Sequence, residues 1–413
     1  MVLFCDTLGV YGGSQTLLLR MCTWLSDKGY NTAVLCADDS NTEIVAQLTK
    51  IGIKIIKCDV KNVGQITRII KDFAEVEPIR AISFGWNNYI GLEMAKKKGG
   101  IEFDNLIYCI HPNTFKRGLA FKNRFLRKYA KWTFGDMYKR MVNNKAVIMM
   151  DEVNLQQTHD YLEIKESGNV QIVRLPMICK ESPTRDEIIN DGYSNDVIIS
   201  AARAEFPMKG YLMGLIDDFE KLKEEYPKLK LEIISAGDDL PTLRERVEMS
   251  PNRDSIILHG WMTYDKLGAV IRKGTVYIGM GTSVLDAALQ YKPAIAVNFN
   301  TFNCYADDTI SNLPEFIDTK DVNCTNPAID IIRDILNLNF EQYKEECIRS
   351  FFSVKKVYDI DINIEKILAV DTIDKGCILT RFEIIRQHIN NVLIKWRTRN
   401  MKLYDYKTLY KEP

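Results

Sequence analysis

The chain alternates short apolar runs with segments whose apolar residues recur three and four positions apart. Val2 to Cys5 is a brief β-rich run, and Leu17, Leu18, Met21, Trp24 and Leu25 then repeat with the spacing of an amphipathic helix. Between them GVYGGSQ breaks the pattern at Gly9, Gly12 and Gly13, which predicts strand, glycine turn and helix, with Ser14 as the helix cap. Gly12 and Gly13 lack a Cβ, so strained dihedrals and close approach of a ligand are open to them, and a helix start of this kind favours anions. Further buried strands are predicted at 32–36, 53–58, 81–85, 106–110 and 147–150, separated by helical or polar segments. Strands that alternate with helices predict a parallel sheet covered on both faces.

The pattern then restarts. Residues 196–203, 229–237, 255–260, 275–281 and 293–299 supply a second set of buried strands, with helices such as Tyr211 to Tyr226 between them. The stretch 176–196 is polar and contains Pro176 and Pro183, which divides the chain there. The expectation is an α/β protein of two Rossmann-like domains, 1–178 and 179–355, followed by a helical C-terminal extension at 356–413. Ligands of parallel sheets bind at the carboxyl ends of the strands, so a cleft between two facing sheets is the expected site.

Composition narrows the partners. A chain of 413 residues exceeds what one hydrophobic core usually organises, and its 46% hydrophobic content can fill two. Lys+Arg and Asp+Glu both total 55, so no charge excess argues for nucleic acid. Ten cysteines without a CxxC pair, and an opening without a signal-peptide pattern, predict reduced thiols and a cytoplasmic location. No apolar run approaches the roughly 18 residues of a membrane span, so any membrane contact would be peripheral. Of the four histidines, His111, His159, His259 and His388, none pairs at ligand spacing, and no metal is expected. Asp359 and Asp361 form a late DxD, while Asp38 with Asp39, Asp238 with Asp239 and Asp307 with Asp308 read as loop and turn carboxylates.

Two stretches carry chemistry. In SAARAEFPMKGYLMGLIDDF a strand runs into a loop bearing Arg203 and Lys209, followed by Gly210 and an amphipathic helix. Two cations at the mouth of a parallel sheet suit a diphosphate, although a solvated loop would present the same residues. In TVYIGMGTSVLDAALQYKPAIAVNF, Gly279 and Gly281 follow a strand, and Thr282 or Ser283 can cap a helix whose amides would face the same cleft. Asp286, about one turn inside, could accept hydrogen bonds from ribose hydroxyls or could simply be an acid favoured near a helix start.

Together these motifs resemble the family 4 glycosyltransferases, which have the GT-B fold. RAEFPMKGY is similar to that family's Arg-then-Lys-Gly diphosphate loop, GMGTSVLDAALQYKPAIAV to its Gly-rich segment, helix and Gly-x-Pro turn, and GVYGGSQ to its glycine loop; the resemblance covers residues 2–355. It implies that Arg203 and Lys209 hold the donor diphosphate, that Gly281, Thr282, Ser283 and Asp286 bind the nucleotide sugar, and that Gly12 and Gly13 approach the donor phosphates or the acceptor. It implies that His111 lies near the donor sugar. Asp286 stands at the second Glu of the family's E-x7-E motif, and Ile278 stands at the first. The implied activity is hexose transfer, with retention, from a nucleotide sugar to a polysaccharide or lipid-linked acceptor, without a cofactor or metal. The alternatives are a non-catalytic nucleotide-sugar-binding or scaffold subunit and a sugar-nucleotide epimerase or phosphorylase.

One segment adds a possible partner. Residues 115–145 carry ten Lys and Arg against Asp136 alone, interleaved with Phe121, Phe125, Trp132, Phe134 and Tyr138. This is the pattern of a basic amphipathic helix on an anionic membrane surface, or of a packed helix with a solvated basic face.

Overall fold

The computed structural model describes residues 1–9, 12–110, 114–115, 121–165, 168, 170–321 and 323–400. Two compact units emerge from it. The first holds residues 1–178 together with the helices from Ile360 onward, and the second holds residues 179–359.

The first unit is built on a seven-stranded sheet. Its strands are β1 (Val2–Cys5), β2 (Thr32–Cys36), β3 (Lys54–Lys57), β4 (Arg80–Ser83), β5 (Asp104–Tyr108), β6 (Val147–Met149) and β7 (Gln171–Ile172), in the order β3-β2-β1-β4-β5-β6-β7. Every pairing is parallel. Between the strands run α1 (Gly13–Asp27), α2 (Thr42–Lys50), α3 (Val63–Ala74), α4 (Trp86–Gly99), α5 (Arg124–Asn143) and α6 (Glu152–Leu162). Both faces of β1 are covered, and all four of its residues are buried, as its unbroken apolar run requires.

The second unit repeats the plan with α7 (Arg185–Asn195), β8 (Val197–Ala201), α8 (Tyr211–Glu225), β9 (Lys230–Ile234), α9 (Leu240–Glu248), β10 (Ile256–His259), α10 (Tyr264–Lys273), β11 (Val276–Gly279), α11 (Thr282–Ala288), β12 (Ala294–Val297), β13 (Ala306–Thr309), α12 (Ala328–Leu336) and α13 (Phe340–Tyr358). The sheet order is β10-β9-β8-β11-β12-β13. Strand order therefore reverses beside β1 in one sheet and beside β8 in the other, the doubly wound arrangement in which the loops flanking the reversal form a crevice.

The sequence reading differs from the structure at four places. β13 is antiparallel to β12 and contains Asp307 and Asp308, so these are strand rather than turn carboxylates; its polar ADDT pattern is tolerated because it lies at the sheet edge. The two-residue β7 is too short to leave a pattern. The polar division between the units contains α7, anchored by the buried Ile188 and Ile189. Finally, α14 (Ile360–Leu368) and α15 (Arg381–Asn400) pack on the first unit. The Ile360 amide donates to the Met177 carbonyl at 2.9 Å, and the Trp24 indole donates to Asp361 at 2.6 Å, which gives that DxD carboxylate a structural role.

Candidate active site

Because β8 and β11 are neighbours at the strand reversal of the second sheet, the loops that leave their carboxyl ends are adjacent. One carries Arg203 and Lys209, and the other carries Gly281 with the start of α11. Tyr277 joins them: its hydroxyl donates to the Ala201 carbonyl at 3.2 Å and accepts from the Ala201 amide at 3.2 Å. Gly279 has no Cβ because one would meet the Tyr277 ring at 2.9 Å. Motif reading passed over Tyr277, since a tyrosine inside an apolar strand looks like core.

The cationic loop is held by its own backbone. The Ala204 amide donates to the Ala236 carbonyl at 2.6 Å, and the Phe206 amide donates to the buried Asp239 carboxylate at 2.7 Å. Asp239, read from sequence as a turn carboxylate, thus fixes the loop that follows β8. Gly237, at φ +117°, lets that turn pass beneath Ala204, whose carbonyl oxygen would sit 2.8 Å from an added Cβ. Gly210 is demanded in the same way, because a Cβ there would meet the Thr301 carbonyl oxygen at 2.5 Å. The Lys-Gly pair therefore combines a cation with a residue that lets the loop after β12 close against it.

The two cations differ. Arg203 is exposed and ion-paired to Glu205 at 3.0 Å. Lys209 is half-buried, and burial lowers its pKa to about 8 against the opposing pull of Asp318 and Glu205. A desolvated ammonium of this kind gains from an arriving anion, because the anion restores the favourable surroundings that water no longer supplies.

The second loop corrects the expected cap and the availability of the Gly281 amide. Gly281, at φ +70°, is itself the residue that caps α11, and neither Thr282 nor Ser283 makes a side-chain cap. The Gly281 amide is already donated to the Ile317 carbonyl at 2.7 Å, so the leading helix amides are those of Thr282 and Ser283. Ser283 turns its hydroxyl back to the Met280 carbonyl at 3.0 Å. Asp286 is buried and accepts from the Tyr264 hydroxyl at 2.7 Å, a link between α10 and α11 that sequence spacing could not show. Ile278 is wholly buried in β11 among the core side chains of the second unit.

In the first unit the glycine loop follows β1. Gly12 caps α1 in an extended conformation that any residue adopts, and Gly13 is already helical, so neither glycine relieves backbone strain. Ser14 is not the cap. The Gln15 side chain donates to Asp6, the buried residue that directly follows β1, at 3.2 Å and to the Thr7 carbonyl at 2.9 Å. Burial raises the Asp6 pKa to about 6. At Gly9 an added Cβ would meet only the exposed Asp38 carboxylate, the end of a side chain that can turn aside. His111 lies outside the described residues.

His159 meets the Tyr138 hydroxyl at 3.2 Å and His259 meets Glu232 at 2.9 Å. Among the described residues no cluster of three His, Cys, Asp or Glu side chains could hold a metal.

The basic segment divides by face. Phe121, Phe134 and Tyr138 belong to the core of the first unit, whereas Phe125 and Trp132 are exposed. Among the described residues no helix is long and apolar enough to cross a membrane.

No protein-family model matches the sequence, and none of the curated proteins does. Solved structures do match. HepE from Anabaena, solved with UDP-glucose, aligns over 89% of this chain and 98% of its own with a TM-score of 0.63 at 13% identity. A glycosyltransferase from Rickettsia africae aligns over 89% and 96% with a TM-score of 0.61 at 16% identity. A TarM variant from S. aureus, solved with fondaparinux, α-GlcNAc-glycerol and UDP, aligns over 89% and 99% with a TM-score of 0.58 at 12% identity. At these identities the likeness shows the fold, which is GT-B.

Proposed function

We propose that the chain is a nucleotide-sugar-dependent glycosyltransferase that moves a hexose, with retention, to a polysaccharide or lipid-linked saccharide. The carrying observation is the juxtaposition of the Arg203–Lys209 loop with the start of α11 at the strand reversal of the second sheet. That HepE was solved with UDP-glucose and TarM with UDP supports a nucleotide diphosphate as the occupant.

In this reading Arg203 exchanges Glu205 for the donor diphosphate, Lys209 adds a desolvated positive charge, and the Thr282 and Ser283 amides complete the cradle. Charge that develops on the departing nucleotide is thus met by groups already in position, which is where most of the rate enhancement of such sites originates. Asp286, oriented by Tyr264, accepts from the ribose. Gly12 and Gly13 are assigned to the donor phosphates or the acceptor, and His111 to the donor sugar. In the front-face mechanism proposed for the retaining enzymes that the motifs resemble, the leaving phosphate takes the acceptor proton, so the reaction needs neither a metal nor a carboxylate pair. The basic segment 115–145 would attach the enzyme to an anionic membrane from the cytoplasmic side.

A non-catalytic nucleotide-sugar-binding subunit is the rival, because Ile278 can neither accept a hydrogen bond from a donor sugar nor offset positive charge. Thermal-shift binding against UDP-, GDP-, ADP- and CDP-sugars, followed by assay of donor hydrolysis and transfer, separates the two. Stabilisation by one nucleotide class with turnover supports the enzyme. Stabilisation without turnover supports the rival, and no stabilisation by any donor rejects both.

A further inference from the structure

Helix α15 turns a second apolar face outward. Its residues Glu383, Arg386, Gln387 and Asn390 are buried against the first unit, while Phe382, Ile385, Ile389, Val392 and Trp396 are 59%, 56%, 45%, 53% and 62% exposed. A surface helix ordinarily buries its apolar stripe. Ile384, Leu393 and Ile394 pack on the core of the first unit, and polar side chains of the same buried side add bonds to it. Glu383 accepts from Arg140 of α5 at 3.0 Å, Arg386 donates to Asp136 at 2.9 Å, and the Arg386 guanidinium lies 3.7 Å over the Trp132 ring. The outward residues recur every three or four positions along the helix, so they form one continuous stripe.

The stripe continues onto α5, where Trp132 meets Phe382 with ring centroids 6.0 Å apart and Phe125 is 83% exposed. Around it positive charge predominates. Arg124, Arg127 and Lys128 are exposed on α5, the only acid of α15 is the inward-facing Glu383, and the only acid of α5 is Asp136, which holds Arg386. Glu163, beside α5, is ion-paired to Lys131 at 2.5 Å.

We infer that the outward face of α15, with Phe125 and Trp132 of α5, is a docking surface for an anionic lipid bilayer, with the apolar stripe inserted at the headgroup level and the α5 cations against lipid phosphates. The three-and-four spacing would also suit a second copy of the chain, but that pairing brings two cationic faces together, whereas an anionic bilayer neutralises them. Tryptophans at an apolar stripe flanked by cations fit the interfacial zone, where one edge of the ring is dry and the other wet. The inference deepens the membrane attachment proposed for the basic segment and rests on it, while assigning the insertion to α15.

The test is flotation of the full chain with vesicles of phosphatidylcholine alone and with vesicles containing equal parts phosphatidylcholine and phosphatidylglycerol. The wild type is expected to float with the anionic vesicles only. Ile385→Asp combined with Val392→Asp, both at exposed positions, is expected to lower partitioning at least tenfold, and Arg124→Glu combined with Lys128→Glu to abolish it. Analytical ultracentrifugation of wild type and variants accompanies the flotation. If the charge variants lose binding and the stripe variants keep it, the inference is overturned and attachment through the basic segment stands. If the wild type binds neither vesicle, both fall. A dimer that becomes monomeric in the stripe variants overturns the bilayer in favour of a second copy.

Discussion

At the scale of single residues, the site is governed by how each polar group trades water for protein. Lys209 loses water without gaining a full ion pair, so its pKa falls to about 8. Above that value the ammonium is lost in the empty protein, and donor binding is expected to weaken as pH rises through 8 and on toward 9; nucleotide titrations at several pH values check this. The stability effect has the opposite sign. In the unfolded chain the lysine stays protonated to about pH 10.4, so the cost of burying its charge is fully present below 8 and is relieved as pH rises between the two values. Ile278 gives a second prediction. Although it stands where the resembling family has a glutamate, Ile278→Glu would place a carboxylate in the wholly buried strand core. Destabilisation by several kcal/mol, read by chemical denaturation, is expected in place of improved turnover.

At the scale of elements, loops and helix starts decide what the strands present. The central strands of both sheets were legible in the sequence, because a strand covered on both faces must be nearly continuously apolar, as β1, β8 and β11 are. Legibility failed where that constraint lapses: β13 lies at an edge and reads as polar, and α7 buries only two isoleucines in a charged stretch. The cationic loop was legible through Arg203, Lys209 and Gly210, but its supports were not. Asp239 and Tyr277 reach it from distant segments, and Tyr264 reaches Asp286 from the preceding helix; only the fold brings such partners together. Caps were misassigned because Ser14, Thr282 and Ser283 follow glycines that take the cap position themselves. Gly210→Ala tests how tightly the loop is closed. A Cβ would sit 2.5 Å from the Thr301 carbonyl oxygen, so backbone must move, and a loss of about 1–3 kcal/mol in stability with weakened donor binding is expected from denaturation and titration.

At the scale of the whole molecule, two doubly wound sheets whose parallel strands follow the same order about the reversal each place a loop–helix junction beside the first strand, and the second unit adds the cations that an anionic donor requires. The helices after Ile360 return to the first unit and end in α15, which turns a second apolar stripe outward, so the part of the chain that lacks a motif supplies most of the proposed membrane surface. The central claim is that the loop after β8 binds a nucleotide diphosphate, and the most direct measurement is calorimetric titration of UDP-glucose, or of the donor class that stabilises the wild type, into wild type and Arg203→Ala plus Lys209→Ala at pH 7. Loss of two charge-assisted contacts of about 1.5–3 kcal/mol each predicts an affinity at least about a hundredfold weaker in the double variant, with the fold intact by circular dichroism. Equal affinity in the two proteins would contradict the account, because a diphosphate bound without these cations must lie elsewhere.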